Sequence, residues 1–314
     1  EVVQIGSAVT DFSVGDKVIT AFFGNGFREY SLIDERMAVK TNHPTKEQLG
    51  AVISGAMASI MLHVVAGYTE STPPQKVLVT AGLGGSGHYV VQLAKMQGHH
   101  VVTTCATDEE AEFLKPYNCD RIIVRNRENP EDVIPAEYPD GLDLVVESFG
   151  GKFFNLGLDN LAPRGQLISA GALVEHTDSD SHIHTIDIYN QLIWKSATIH
   201  GFNLVDYANH IRKHMLMISE LTVNGQIKTL LDPTEFKGID GVIEAMAHVM
   251  SWKTRGKVVM ELERGCFMSG KWCGYTGYTL DTDGTAGAFV GWQSANIAIG
   301  RHRQSREFKT TLFA

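Results

Sequence analysis

Between residues 76 and 202 the apolar positions alternate between two rhythms. Short, β-branched or apolar runs occur at 77–80, 100–105, 121–124, 142–147, 166–170 and 197–202. Each is bounded by turn residues, as buried strands of a parallel sheet are. Between the runs lie segments of helical spacing. Val90, Leu93, Ala94 and Gln97 recur on one face, Thr107 and Glu110 bracket the start of a helix running to about Tyr117, and 152–161 reads as a helix ended near Pro163. Strands alternating with helices at this spacing predict an α/β fold with a parallel, doubly wound sheet.

The flanking regions read differently. Residues 14–18 are a turn followed by a strand, and 27–33 alternate like a half-buried strand. Glu29 and Tyr30 on that strand line either a site or, more simply, a barrel interior. From Thr45 a helix begins, polar at 46–48 and then apolar and small to Val65. Its Ser54-Gly55-Ala56-Met57-Ala58 stretch lets another backbone or a flat ring pack very close, with ordinary core packing as the simplest reading. Pro73-Pro74 closes the segment. Further on, 206–223 and 241–250 read as helices, and 256–262 as a strand returning to the first domain. Four segments result: 1–45, 46–205, 206–263, and an irregular tail at 264–314, rich in Gly and Thr and basic at 300–306.

Composition narrows the class. The chain has 314 residues, 43% hydrophobic and 20% charged, a globular profile that allows two domains and a sizeable core. A net charge of −9 argues against a phosphate-tracking nucleic-acid surface. No apolar run is expected to cross a bilayer, and no signal peptide or Ser-Lys-Leu ending is seen, so a cytoplasmic protein is expected. Cys105, Cys119, Cys266 and Cys273 form no disulfide framework, which suits a reducing compartment. Cys266 and Cys273 lack His partners for zinc. The His176, His182 and His184 stretch, with its aspartates, reads as a solvated loop rather than a metal site. His210 and His214, at i and i+4, lack the Glu of the metalloprotease pattern and read as surface or packing histidines.

The chemistry is concentrated after the first run of the sheet. Residues 77–80 lead through Gly82-Leu83-Gly84-Gly85-Ser86-Gly87 into a helix. Strand, glycine turn and helix let bare backbone approach a pyrophosphate, with the helix dipole facing its charge. A glycine pattern alone is weak, since a tight strand-to-helix turn needs the same residues; this context makes nucleotide binding the better reading. At the end of the second run, where NAD-selective folds place an acid, stands Cys105-Ala106-Thr107. That small, hydroxyl-bearing end leaves room for a 2′-phosphate. Asp108, Glu109 and Glu110 would repel one unless they cap the helix, while Arg125 and Arg127 supply charge or form a solvated loop. NADP(H) is the expected cofactor, with Thr107 and Arg125 as the 2′-phosphate candidates.

These residues resemble the medium-chain dehydrogenase/reductase superfamily, in its quinone-reductase-like branch. The resemblance is carried by Val77-Leu78-Val79-Thr80-Ala81 with the glycine turn, Gln92-Leu93-Ala94-Lys95, Phe113-Leu114-Lys115, and Cys119-Asp120-Arg121. It continues through Glu137-Tyr138-Pro139-Asp140-Gly141, Glu147-Ser148-Phe149-Gly150-Gly151, Lys195-Ser196-Ala197-Thr198, Gly201-Phe202 and Gly256-Lys257-Val258-Val259. It spans about residues 1–263 in the family's order.

The resemblance implies a GroES-like β-barrel domain, truncated here, around a Rossmann domain, and usually a homodimer. It implies NADPH-dependent hydride transfer to an α,β-unsaturated ketone or a quinone, without catalytic zinc. It places Gly201 and Phe202 on the nicotinamide side and adds peroxisomal or mitochondrial placement as alternatives. No residue is singled out as catalytic. The departures concern chemistry. An Asn-x-x-Asp element of the family's front portion is not present ahead of Glu1, and Ser-Gly-Thr-Thr-Ala-Tyr reads Ser54-Gly55-Ala56-Met57-Ala58-Ser59. Glu110 stands for a Lys, Arg125 for a Tyr and Thr254 for an Asn. These departures make a catalytically impaired NADP(H)-binding protein the alternative expectation.

Overall fold

The computed structural model describes residues 1–21, 30–42, 44–171, 185–238, 240–251, 253–261 and 277–280, the side chains of 185–187 and 277–280 excepted. In chain order the elements are β1 (Val18–Thr20), β2 (Ala38–Lys40), α1 (Lys46–Ile60), β3 (Lys76–Val79) and α2 (Gly87–Met96). Then come β4 (His100–Cys105), α3 (Asp108–Leu114), β5 (Arg121–Val124), α4 (Pro130–Glu137), β6 (Leu142–Glu147) and α5 (Lys152–Asp159). The chain continues with β7 (Leu161–Ser169), α6 (Thr185–Lys195), β8 (Thr198–Gly201), α7 (Ala208–Val223), β9 (Phe236–Lys237), α8 (Gly241–Met250), β10 (Val258–Glu261) and β11 (Gly277–Leu280). Two compact units emerge, and the first boundary falls within α1 after Ala56.

The unit that contains Met57–Leu204 holds a six-stranded sheet in the order β5-β4-β3-β6-β7-β8. Every neighbouring pair in it is parallel. This is the doubly wound sheet expected from the alternating runs. The order reverses at β3: the chain first builds outward through β4 and β5, then returns to add β6 on the other side. In open sheets of this kind, the carboxyl ends of the strands at such a reversal are where ligands bind. The strands are apolar on both faces because helices cover them. Leu78, Val102, Ile123, Val145 and Leu167 are fully buried in one cluster with Phe153 and Leu156 of α5.

Local chemistry sets the helix starts. Asn129 caps α4 by accepting from the Glu131 N–H at 3.3 Å, with Pro130 in the first turn, where no intrahelical partner is lost. One strand begins earlier than the sequence pattern indicates. The pattern starts it at Gln166, after Pro163, but β7 starts at Leu161 and carries an irregularity in register against Leu142 and Leu144. A bulge accommodates Pro163, with Arg164 at φ +66.

The second unit combines Glu1–Ala56 with Val205–Thr282. β1 and β2 pair antiparallel over a small cluster of Val2, Val9, Phe12 and Ala38. The expected strand at 27–33 is not found over 30–33, and Tyr30 is exposed; Glu29 lies outside the described residues. Gly55 explains the small-residue stretch: a Cβ there would lie 2.6 Å from Ile218 Cγ2 of α7. The close partner is an aliphatic side chain, neither backbone nor ring. At the residue before Gly55, the buried Lys257 donates from Nζ to Ser54 Oγ at 2.6 Å. β10 pairs with β9 in parallel and β11 antiparallel, so a strand stands inside the segment read as an irregular tail. Backbone pairing needs no side-chain periodicity, which is why the pattern did not show it.

A π-helical turn, Met61–Val65, closed by Ala66 N to Met61 O at 2.9 Å, extends α1. The resulting helix Lys46–Val65 has 20 residues and is long and apolar enough to cross a membrane. This corrects the expectation that no apolar run has that length. Of its most apolar window, 72% is buried within the protein. His176, His182, His184, Cys266 and Cys273 lie outside the described residues.

Candidate cofactor site

The site is built from loops at the carboxyl ends of β3, β4, β5 and β6. β3 ends at Val79, and Thr80 stays fully buried, giving its carbonyl to Thr104 and its hydroxyl to the Ser148 N–H at 3.3 Å. The turn then tightens: Gly84 N donates to Ala81 O at 2.9 Å, and α2 starts at Gly87. A Cβ on Gly87 would stand 1.8 Å from Ala81 O, and one on Gly82 would stand 2.0 Å from Thr103 Oγ1. Both glycines are therefore demanded by the protein's own packing. Gly82, Gly84, Gly85, Ser86 and Gly87 are brought into one buried turn. The start of α2 places the helix's first N–H groups at its end. The Ser86 hydroxyl points inward, donating to Met57 Sδ at 3.8 Å.

The end of β4 settles the acidic run. Thr107 caps α3, its hydroxyl accepting from Glu110 N at 3.2 Å, and Glu110 reaches back to accept from Ala106 N at 2.6 Å. Asp108 pairs with Arg127 at 3.0 Å. Glu110 thus takes the capping role, whereas Asp108 is engaged by an ion pair instead. Burial, with Glu110 adding to it, pushes the Cys105 thiol up to about 11, so it is an uncharged side chain at neutral pH.

Arg125 follows β5 and turns back across the sheet. Its N–H donates to Cys105 O at 2.9 Å, extending the ladder, and Nη1 donates to Thr104 Oγ1 at 2.9 Å. The guanidinium lies 5.6 Å from the Phe149 ring and 5.5 Å from the Phe153 ring. Arg125 and Phe149 thus meet above the switch point, although two strands separate the ones they leave. Among the described residues no carboxylate stands within ion-pair distance of Arg125, whereas Glu128 is taken by Arg121. Burial lowers the Arg125 pKa, with Glu110 opposing, and the group remains a cation. A half-buried cation with no paired carboxylate among the described residues has the chemistry to receive an anion.

Beside it opens a groove of about 450 Å³ lined by Arg125, Arg127, Lys152, Phe153 and Leu156 among others. Cations over aromatic faces suit a flat, anionic ligand such as an adenosine phosphate. Glu147 fixes the turn after β6, which carries Phe149, by accepting from Phe149 N at 2.5 Å and Gly150 N at 2.9 Å.

Of the predicted residues, the glycine turn, Thr107 and Arg125 share this edge of the sheet. Gly201 ends β8, and Phe202 N donates to Ser169 O at 2.9 Å. Three strand spacings separate β3 from β8, ~14 Å, so these two lie apart from the turn along the same edge. Sequence reasoning missed Thr104, Phe153 and the groove. Phe149, two residues beyond β6, the first strand added after the order reverses, was the available signal. Among the described residues, no three His, Cys, Asp or Glu side chains converge to hold a metal.

A doubly wound sheet with a glycine turn at its switch point defines the Rossmann class of α/β proteins. Residues 85–221 match the family described as zinc-binding dehydrogenase. Prostaglandin reductase-3 of Bos taurus is 36% identical over 272 residues, covering 83% of this chain and 71% of that protein. A probable quinone oxidoreductase of Leishmania amazonensis is 30% identical over 267 residues, covering 83% and 77%. The structure of CurA in complex with NADPH from Vibrio vulnificus superposes with a TM-score of 0.62 at 17% identity, covering 73% of this chain and 69% of that one. The chain belongs to the medium-chain dehydrogenase/reductase superfamily, in its quinone-oxidoreductase-like branch.

Proposed function

We propose that this protein is an NADPH-dependent reductase of electron-poor double bonds, acting on α,β-unsaturated ketones of the 15-oxoprostaglandin type or on quinones. The observation that carries the cofactor assignment is Arg125, a half-buried cation with a hydroxyl and two aromatic rings around it and no carboxylate paired to it among the described residues. The substrate class rests on the relatives, which carry the names prostaglandin reductase and quinone oxidoreductase.

NADPH, when bound, supplies the hydride. The chain's own residues bind and orient. The start of α2 and the glycine turn face the pyrophosphate, Arg125 takes the 2′-phosphate, and Thr107 offers the remaining hydrogen of its cap hydroxyl beside it. Phe153 and Lys152 shape the groove for the adenine, and Gly201 and Phe202 stand toward the nicotinamide end. A purified sample is tested by the loss of NADPH absorbance with a panel of enones and quinones. Turnover with at least one is expected, and none with any would refute the reading.

A second reading has a specific basis. Where resembling enzymes carry two threonines, Met57 accepts from the turn's Ser86 and Ala56 carries no hydroxyl, while Ser54 is held by Lys257. A protein that binds NADPH and transfers no hydride would fit that arrangement, and NADPH fluorescence changing without oxidation would identify it.

We also propose a homodimer. β8 is the edge of the sheet, half-exposed, and the neighbouring α6 presents Tyr189, Ile193 and Trp194 to solvent, the last 85% exposed. An edge that no described strand pairs, next in the chain to a helix with an exposed apolar face, is a surface that a second copy would protect.

A further inference from the structure

We infer that Thr104 is a positioning residue for cofactor choice: its hydroxyl holds the Arg125 guanidinium where a 2′-phosphate is read. The inference deepens the NADPH assignment and rests on it. Thr104 is 2% exposed in β4, and its single hydroxyl proton is committed, donating to Thr80 O at 2.7 Å. That commitment turns a lone pair toward Arg125 Nη1, which donates to it at 2.9 Å. The chain of bonds runs from the buried backbone just after β3, through Thr104, to the guanidinium, so the rigid centre of the sheet sets the position of a flexible side chain.

The rest of the environment shows why a tether matters. Phe149 and Phe153 support the guanidinium by their faces, contacts that leave it free to slide. Glu110 is the acid whose charge Arg125 feels most, and it sits at the start of α3, capping the Ala106 N–H. An untethered Arg125 would turn toward Glu110, and a 2′-phosphate would have to compete with that carboxylate. Arginine reads phosphate by a planar fork of donors, so a small rotation forfeits paired hydrogen bonds. NADH lacks the 2′-phosphate and is indifferent to this rotation. Thr104 therefore acts on the ratio of the two affinities, whereas a residue that only tied β4 to β3 would act on stability and on both cofactors alike.

The test measures dissociation constants of NADPH and NADH by their fluorescence, and of 2′,5′-ADP and 5′-ADP by competition, on wild type, Thr104→Val and Thr104→Ser. Thr104→Val is expected to weaken NADPH and 2′,5′-ADP about tenfold, the scale of one hydrogen bond to a charged group. NADH and 5′-ADP are expected to change less than twofold, and Thr104→Ser to restore the wild-type ratio. Equal weakening of both cofactors, no weakening of either, or failure of serine to restore the ratio would each overturn the inference. Should the valine variant not fold, Thr104→Cys keeps a weak donor for the Thr80 carbonyl, removes the good acceptor and reads the same ratio. Wild-type protein that binds neither nucleotide would overturn the cofactor reading itself. Wild type that binds NADPH, with Thr104→Val unchanged, would overturn the role of Thr104 alone.

Discussion

Replacing Gly87 by alanine tests whether the glycine turn is as tight as its geometry requires. The new Cβ would stand 1.8 Å from the Ala81 carbonyl oxygen, and contacts under 3.0 Å are essentially never made by real Cβ atoms. Helix start and carbonyl must therefore separate by at least about 1.2 Å. Neither is a flexible side-chain end. The carbonyl accepts from Gly84 N at 2.9 Å, and moving it breaks the bond that closes the turn. One lost hydrogen bond and one strained backbone position together cost about 3 kcal/mol. In a unit of this size that lowers Tm by about 6–12 °C. Gly201→Ala is the control: nothing lies within 4 Å of its Cβ position and its φ is outside the left-handed range, so its effect is within about 0.5 kcal/mol. Thermal unfolding of both variants, followed by circular dichroism without nucleotide, makes the comparison. A Gly87→Ala protein melting within about 2 °C of wild type would refute the steric argument. Equal damage from Gly201→Ala would refute its specificity.

Other expectations follow from the same geometry. Arg125→Leu is expected to weaken NADPH by about tenfold or more and to spare NADH, the loss of one charge-assisted contact, read by fluorescence titration; equal effects would remove Arg125 from the 2′-phosphate site. Gly55→Ala and Ile218→Ala should each destabilise, the first by the 2.6 Å clash with Ile218 Cγ2 and the second by about 2–5 kcal/mol of lost packing; the double variant should lose less than the two together, and simple additivity in urea unfolding would deny the contact. His99 is buried, and burial holds its pKa below the usual histidine range. The unfolded chain then binds more protons below pH ~6.5, so stability is complete above that value and falls as pH drops toward the folded pKa; urea midpoints at several pH values should show a fall that His99→Gln lessens, and an unchanged slope would refute it. Trp194→Glu should halve the mass seen by light scattering with the fold intact, and a wild-type monomer or an unaffected dimer would exclude the α6 face.

How much of this was legible beforehand follows from what each pattern depends on. The strands β4, β5 and β6 were readable to their ends because an apolar run buried on both faces is a local property of composition. The cap at Thr107 was readable because it needs only four consecutive residues. β7 was misplaced at its start because a bulge around Pro163 depends on the register against β6. β11 was invisible because edge pairing is made by backbone.

The sequence by itself determined the doubly wound class, the glycine turn and the small, uncharged end of β4. These rest on spacing, on glycine's missing side chain and on residue size, all properties of neighbours along the chain. Only the tertiary structure decided what the glycines are for and how the cation is held. Gly82 faces Thr103 and Gly87 faces Ala81, contacts made when strand, turn and helix close on each other. Arg125 meets Thr104, Phe149 and Phe153 because parallel strands bring their carboxyl ends to one edge, which places residues up to 49 positions apart around one guanidinium. Side-chain chemistry at such a site is a sum over non-local neighbours, and no local pattern carries that sum.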